Sequence, residues 1–118
     1  MEAEKMTNNL DVIYLFGFSE LTGNHLRRLL PILKSQLQKN QKLGLVLIQD
    51  GVIGISTVGK IPKQVGELLN LDMAVYAMIG DIISRGIRPE FVHNKIETIQ
   101  YDNLIDLIEN TPKVISWM

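Results

Sequence analysis

An apolar run that ends abruptly at a carboxylate and a glycine most constrains how this chain can fold. The run is LGLVLIQDG, Leu43–Gly51, and its leucine, valine and isoleucine side chains leave no polar face. An apolar stretch of this length, bounded by turn residues, is typical of a strand buried on both sides of a parallel sheet. Asp50-Gly51 favours a turn, because glycine tolerates a positive φ. Ligands and partners usually meet a parallel sheet just beyond its strand ends, so a site is expected near this turn.

Strand-like and helix-like segments alternate along the whole chain. The other predicted strands are Leu10–Phe16, Met73–Met78, Lys95–Gln100 and Val114–Met118, and helical apolar spacing fills most of the intervals between strands. Parallel neighbours need crossover connections, and those are usually helices. The pattern therefore predicts an α/β fold with a mainly parallel sheet of about five strands, covered by helices on both faces.

Several local signals predict where the helices begin and end. Pro31 falls inside a leucine-rich helical pattern, so the first helix is expected to kink there or to start late. Asn24 or Thr22 is expected to cap that helix, and Asp102 is expected to cap the last one. Gly86 is expected to end a short helix that begins near Gly80-Asp81.

Composition places the chain among ordinary cytoplasmic proteins. The 118 residues fit one domain, with residues 1–9 expected to be flexible and residues 10–118 to fold. The net charge of −1 does not favour direct binding to nucleic acid. No apolar run approaches the roughly 20 residues that span a bilayer, and the N-terminal segment lacks a signal-peptide core. The chain has no cysteine, which excludes disulfides, thiolate metal sites and cysteine catalysis within it.

Two patterns suggest a small-molecule or metal site, and each has a structural alternative. Gly54–Lys60 resembles the body of a phosphate-binding loop, but Ile61 stands where that loop needs serine or threonine. A packed, glycine-flexed loop is the favoured interpretation. Asp50 and Asp81 both follow predicted strands and could form a paired-carboxylate site. Because aspartate is also common in turns and at helix N-termini, the structural interpretation is favoured there too.

The remaining chemistry-bearing residues give weaker signals. His25 and His93 lack carboxylate or histidine neighbours at ligand spacing and are expected at the surface. No metal site and no cofactor are expected. Trp117 either closes the core or anchors an interface, because an aromatic side chain supplies a large contact area at low entropy cost.

Three blocks in order resemble the DsrH/TusB family. The first is LVLIQDGV, Leu45–Val52, the second is VYAMIGDIISRGI, Val75–Ile87, and the third runs from Ile96 to the last residue. The matching residues are Gln49, Asp50, Gly51, Val52, Tyr76, Ala77, Asp81, Arg85, Gly86, Tyr101, Asp102, Leu107 and Trp117, and Ser19 stands where the family often has a serine.

This resemblance implies a flavodoxin-like or Rossmann-like three-layer α/β/α subunit that works in intracellular sulfur relay. Three related subunits, of the DsrE/TusD, DsrF/TusC and DsrH/TusB types, then form a heterohexamer. Persulfide sulfur passes from a TusA-like carrier to a cysteine of the DsrE/TusD-like subunit, and onward to tRNA thiolation or to sulfur oxidation. The candidate interface or pocket residues are Ser19, Asp50, Gly51, Asp81, Arg85 and Trp117.

The chain departs from this family in lacking the cysteine that some DsrH members carry near the first loop. Since sulfur transfer needs a thiolate, the chain is expected to be a non-catalytic subunit and not an enzyme by itself. Two alternatives stay open: a small flavodoxin-like nucleotide- or metal-binding module, and a self-assembling homo-oligomer of the same fold.

Overall fold

One parallel sheet of five strands organises the protein. A computed structural model describes residues 9–19 and 23–118. The strands are β1 Val12–Phe16, β2 Leu43–Leu47, β3 Ala74–Met78, β4 Ile96–Ile99 and β5 Lys113–Trp117, in the order β4-β3-β2-β1-β5. Every strand pairing is parallel, as predicted. The expected flexible N-terminus falls mostly on residues 1–8, which lie outside the described residues.

Within residues 9–19 and 23–118, four helices and two short 3₁₀ turns connect the strands. The helices are α1 His25–Gln38, α2 Lys63–Leu69, α3 Ile79–Ser84 and α4 Tyr101–Asn110, and the 3₁₀ turns are Gln49–Val52 and Pro89–Phe91. Strand and helix therefore alternate as the sequence predicts, and the α/β fold class is confirmed. Within the described part of the chain, no helix is long and apolar enough to cross a membrane.

The pleat of the strands divides the apolar side chains between two cores. On β1, Val12, Tyr14 and Phe16 enter a large core together with apolar residues of α1, α2 and α3. Ile13, between them, enters a smaller core that includes Leu107 of α4. Side chains alternate across a strand, so these two cores lie on opposite faces of the sheet. The sheet is thus the middle layer of three.

The strand order follows from the handedness of the crossovers. Strands β1 to β4 step in one direction across the sheet, with α1, α2 and α3 packed on one face. After β4 the chain crosses the other face through α4 and adds β5 beside β1. Right-handed crossovers require the return path to use the opposite face. Because every strand pairing is parallel, all carboxyl ends lie at one edge of the sheet.

Pro31 does not delay the first helix. Helix α1 begins at His25 and includes Pro31 in its interior, so of the two predicted alternatives, a kink or a late start, the late start is wrong. Pro31 is exposed, while Leu29, Leu30 and Leu33 are buried. Burial of the leucine stripe offsets the lost backbone hydrogen bond, since each buried leucine contributes about 1.5–3 kcal/mol.

The predicted helix caps are partly wrong. Asn24 is the N-cap of α1, but its side chain makes no capping hydrogen bond. The capping box of α4 is formed by Gln100 and Asn103, and Asp102 lies within the first turn. Gly86 does end α3 as predicted, with φ of 73°. The N–H groups of Gly86 and Ile87 donate to the carbonyls of Ile83 and Ile82, as in a Schellman motif.

Two buried tyrosines make stability sensitive to high pH. Burial raises the pKa of Tyr14, opposed by its hydrogen bond to Gln36, and burial followed by the Glu97 charge raises the pKa of Tyr76. The unfolded chain then loses these protons first, from about pH 10. We expect the free energy of unfolding to be unaffected by these groups below pH 10 and to fall as pH rises above it. Urea denaturation from pH 8 to 11 measures the slope of the free energy of unfolding against pH. Tyr76→Phe should reduce that slope, and an unchanged slope would show that Tyr76 does not cause it.

Candidate functional site

The loops that follow β1, β2 and β3 meet at the carboxyl edge of the sheet. The Ile48 N–H donates to the Phe16 carbonyl at 3.0 Å, and the Gly17 N–H donates to the Trp117 carbonyl at 2.9 Å. These bonds continue the ladder beyond the strands and bring the turn after β2 against the end of β1. At the carboxyl edge, where the sequence predicts a site, the turn after β2 is therefore held closely against the end of β1.

Gln49, and not Gly51, adopts the left-handed backbone conformation in the turn after β2. Gln49 has φ of 50°, which is uncommon for a residue other than glycine. Its N–H donates to the Asp81 carboxylate at 2.8 Å, which stabilises this conformation. Gly51 does not adopt the positive φ that glycine tolerates. Gly51 is needed for a different reason, because a Cβ atom there would overlap the carbonyl oxygen of Phe16.

Arg85 joins the two carboxylates that the sequence singled out. Its Nε lies 3.0 Å from Oδ1 of Asp50, and its Nη1 lies 3.6 Å from Oδ1 of Asp81. The Arg85 and Asp81 side chains are 28% and 29% exposed, whereas Asp50 is 61% exposed. We call these three residues the Asp50–Arg85–Asp81 cluster. The cluster connects the turn after β2 to helix α3.

The geometry of this cluster favours a structural role over a metal site. A magnesium site needs carboxylate oxygens that face a cation, whereas both carboxylates here face a guanidinium. Among residues 9–19 and 23–118, no group of three histidine, cysteine or acidic side chains could hold a metal ion. The paired-carboxylate prediction is correct in placing Asp50 and Asp81 together, but Arg85 lies between them.

Ser19 and Trp117 occupy other positions at the same edge. Ser19 is only 6% exposed and lies at the end of the described part of the first loop. Trp117 pairs with Phe16 in the β1–β5 register and packs partly buried against the larger core. Ser19 and Trp117 therefore lie at this edge but are not members of the Asp50–Arg85–Asp81 cluster. Residues 20–22 of the predicted first loop lie outside the described residues.

The two histidines are partly buried rather than freely exposed. The ring of His25 stacks on Phe18 with centroids 3.6 Å apart and planes at 13°. His93 accepts a hydrogen bond at Nδ1 from the Lys95 N–H, at 3.0 Å. The aromatic residue seven positions before His25 is the sequence signal that could have indicated this stacking.

The segment Gly54–Lys60 is a packed loop held against the connection after α3. Thr57 donates from its N–H and from its hydroxyl to the carbonyl of Phe91, at 2.7 and 2.9 Å. The Val58 N–H donates to the Ser56 hydroxyl at 3.0 Å, and Ile55 is fully buried. A phosphate-binding loop needs its N–H groups free for the ligand. The geometry favours the packed loop over the phosphate-binding alternative.

Packing of this loop creates an apolar patch that the sequence did not reveal. Val58 is 65% exposed and Phe91 is 38% exposed. With Ile87 they line a cavity of about 450 Å³, also bordered by Arg88, whose guanidinium lies 5.3 Å from the centroid of the Phe91 ring. We call Val58, Ile87 and Phe91 the Val58–Phe91 patch. Beside it, backbone and Arg88 hydrogen bonds lower the pKa of Glu90, which pairs with Arg88.

Removing the Asp81 carboxylate should loosen the turn after β2. We expect Asp81→Ala to lower the free energy of unfolding by about 1–2 kcal/mol, because the Gln49 N–H loses its acceptor and Arg85 loses an ion pair. Asp81→Asn keeps an acceptor for the Gln49 N–H, so its free energy of unfolding should fall clearly less. Urea denaturation of both variants measures the difference, and equal losses would show that the hydrogen bond to Gln49 contributes nothing.

Comparisons with known proteins agree on one family and one fold. The model of the family described as DsrH like protein matches residues 19–114. Protein TusB from Serratia proteamaculans (strain 568) is 34% identical over 73 residues, which cover 62% of this chain and 73% of that protein. The region matched by the family model includes most of the described residues.

Two solved structures share the fold at low sequence identity. The YchN protein from E. coli has a TM-score of 0.74 at 16% identity, and the protein of unknown function MTH1491 from Methanobacterium thermoautotrophicum has 0.66 at 12%. Each match covers 92% of this chain and 100% of the other. At these identities the structures support the fold alone. The family model and the TusB similarity go further, and on them this chain belongs to the DsrH/TusB family.

Proposed function

We propose that this chain is a non-catalytic subunit of a sulfur-relay assembly of the DsrEFH/TusBCD type. The observation that carries the proposal is membership of the DsrH/TusB family in a chain that contains no cysteine. A persulfide carrier needs a thiolate to attack the outer sulfur of an incoming persulfide. The nucleophile must therefore come from a partner chain.

The sulfur step itself belongs to that partner. The partner's cysteine thiolate attacks the outer sulfur of a persulfide on a TusA-like carrier, a new S–S bond forms, and the carrier leaves as a thiolate. A DsrE/TusD-like subunit supplies this cysteine, and a DsrF/TusC-like subunit completes the assembly. We expect this to occur in the cytoplasm and to deliver sulfur to tRNA 2-thiouridine synthesis or to sulfur oxidation.

The Val58–Phe91 patch supports a role in subunit docking. Val58 is 65% exposed although hydrogen bonds hold its loop firmly against Phe91. An apolar side chain that stays in water contributes no burial energy to folding. Exposed apolar patches commonly mark protein interfaces. The Asp50–Arg85–Asp81 cluster supports the same role, because its ion pairs connect the turn after β2 to helix α3 and so hold the shape of this edge.

Co-purification with the other two subunits tests this proposal. The tagged chain is expressed with a cysteine-bearing DsrE/TusD-like chain and a DsrF/TusC-like chain, and the mass of the purified complex is measured. We expect a stable complex in which sulfur labelled as persulfide resides on the partner's cysteine. A chain that stays separate from both partners would contradict the proposal.

Substitution of the patch identifies where the partners bind. We expect Val58→Asp to weaken the complex at least tenfold, because a buried, unpaired carboxylate is costly at an interface. Ile32→Asp is the matched control, since Ile32 is also an exposed apolar residue, at 42%, but lies on α1. Equal effects of the two substitutions would exclude the patch as the docking surface while leaving the subunit proposal intact.

A further inference from the structure

Among residues 9–19 and 23–118, no strand pairs with the outer edge of β5. Strand β5 pairs only with β1 in the described sheet, so its other side faces away from the molecule. Lys113, Val114 and Ser116 are exposed, and Val114 remains 38% exposed although it is apolar. Edge strands of soluble proteins are usually protected by charges, prolines or bulges, because an open edge pairs readily with another strand.

The two edges of the sheet differ in this protection. Strand β4, at the opposite edge, has four residues and carries the exposed charge of Glu97. Strand β5 has five residues and a single charge, Lys113, at its first position. Its centre and its end are therefore unprotected.

The backbone register shows which groups of β5 point outward. The Trp117 carbonyl accepts a hydrogen bond from the Gly17 N–H, so the polar groups of Trp117 face β1. Because N–H and C=O directions alternate along a strand, Lys113 and Ile115 also face β1. The N–H and C=O groups of Val114 and Ser116 consequently point away from the sheet.

We propose that two copies of this chain pair through β5 in an antiparallel arrangement centred on Ile115. In that register Val114 of one copy lies opposite Ser116 of the other. These residues carry the outward N–H and C=O groups, so the two-fold axis gives four backbone hydrogen bonds. The five strands of each copy then join into one sheet of about ten strands.

The side chains of β5 are complementary in the same register. Lys113 lies opposite Trp117 of the second copy, where an ammonium group can contact an aromatic ring. The two Lys113 residues are four positions apart along the pair, about 13 Å at the usual strand rise. That separation exceeds the Debye length of about 8 Å, so like-charge repulsion is screened. The Lys113–Trp117 contacts therefore favour a second copy as the occupant, and the separation of the two lysines does not oppose it.

Sedimentation of the isolated full chain tests the association without any partner subunit. We expect a monomer–dimer equilibrium that depends on concentration, with the dissociation constant raised at least tenfold by Ser116→Pro. Proline removes the outward N–H of Ser116, and its ring occupies the place of that hydrogen while the bonds to β1 remain. Circular dichroism confirms that this variant is folded.

Disulfide trapping tests the register and stays decisive if Ser116→Pro fails to fold. The chain has no native cysteine, so a single introduced thiol reports unambiguously. We expect Ile115→Cys to form a cross-linked dimer at least tenfold faster than Ser116→Cys. In the proposed register the two Cα atoms at position 115 are about 4.5 Å apart, within disulfide range, whereas those at position 116 are beyond about 7 Å.

The control for random collision is Thr98→Cys, because Thr98 is exposed on the opposite edge strand. Cross-linking of Ile115→Cys no faster than Thr98→Cys, or a monomer at every concentration, would overturn the proposal. A second result would also overturn the β5 pairing. In that result, Ser116→Pro releases a DsrE/TusD-like or DsrF/TusC-like subunit from the sulfur-relay complex, and Ile115→Cys fails to cross-link. These results do not depend on sulfur relay, so they are separable from failure of the proposed function.

Discussion

Gly51→Ala is expected to lower the free energy of unfolding by about 2–3 kcal/mol. The new methyl group would overlap the carbonyl oxygen of Phe16, a backbone atom at the end of β1 that cannot rotate away. Relief requires moving the turn Gln49–Val52 away from β1. That movement would strain the hydrogen bonds from the Ile48 N–H to Phe16 and from the Gly51 N–H to Ile48.

The matched control is Gly66→Ala, within helix α2. A Cβ atom at Gly66 would meet no heavy atom within 4 Å, and Gly66 is not among the glycines with positive φ. Alanine there should raise stability by about 0.5–1 kcal/mol, because the unfolded chain loses conformational freedom. Urea denaturation compares the two variants. A small or positive effect of Gly51→Ala would show that the turn after β2 is more adaptable than its contacts indicate.

Leu107→Ala is expected to be the other large effect, with a loss of about 2–5 kcal/mol. Leu107 is fully buried and is the buried residue of α4, the helix that packs on the smaller core. Its side chain contributes to a core that also contains Ile13, Val46 and Tyr76. Truncation leaves a cavity there, because a close-packed core relaxes only partly around a removed side chain.

Ile105→Ala, on the same helix, separates core packing from helix propensity. Ile105 is only partly buried, and alanine favours helix slightly, so a loss below about 1.5 kcal/mol is expected. Thermal denaturation of both variants measures the difference. Similar losses would mean that α4 contributes to stability as a whole helix rather than through Leu107.

Much of the fold could be predicted because its signals are local. The unbroken apolar run at Leu43–Leu47 does form a strand whose five residues are all buried, and Gly86 does end α3. The late start considered at Pro31 and the cap expected at Asp102 are both wrong, for different reasons. Tertiary burial of the leucines holds Pro31 inside α1, whereas a local pair, the Gln100–Asn103 capping box, takes the place of an Asp102 cap.

The candidate site was predicted less completely, because its contacts join residues far apart in the chain. Asp50 and Arg85 are separated by 35 positions, and Thr57 and Phe91 by 34. No periodicity or turn signal indicates such pairs. The sequence singled out Asp50, Asp81 and Arg85 as members of a site, but not that the arginine would neutralise both carboxylates.

The sequence by itself determined the alternation of strands and helices, the family resemblance and the absence of a thiol. These depend on residue identity and on spacing within a few residues, and both can be read directly from the order of residues. Only the tertiary structure decided that Gln49 takes the left-handed conformation, that Gly51 is needed for close approach to β1, and that β5 is an outer strand of the described sheet. Each of these depends on which strands become neighbours. That choice is made by burial of two apolar faces and the handedness of the crossovers, and not by any single segment.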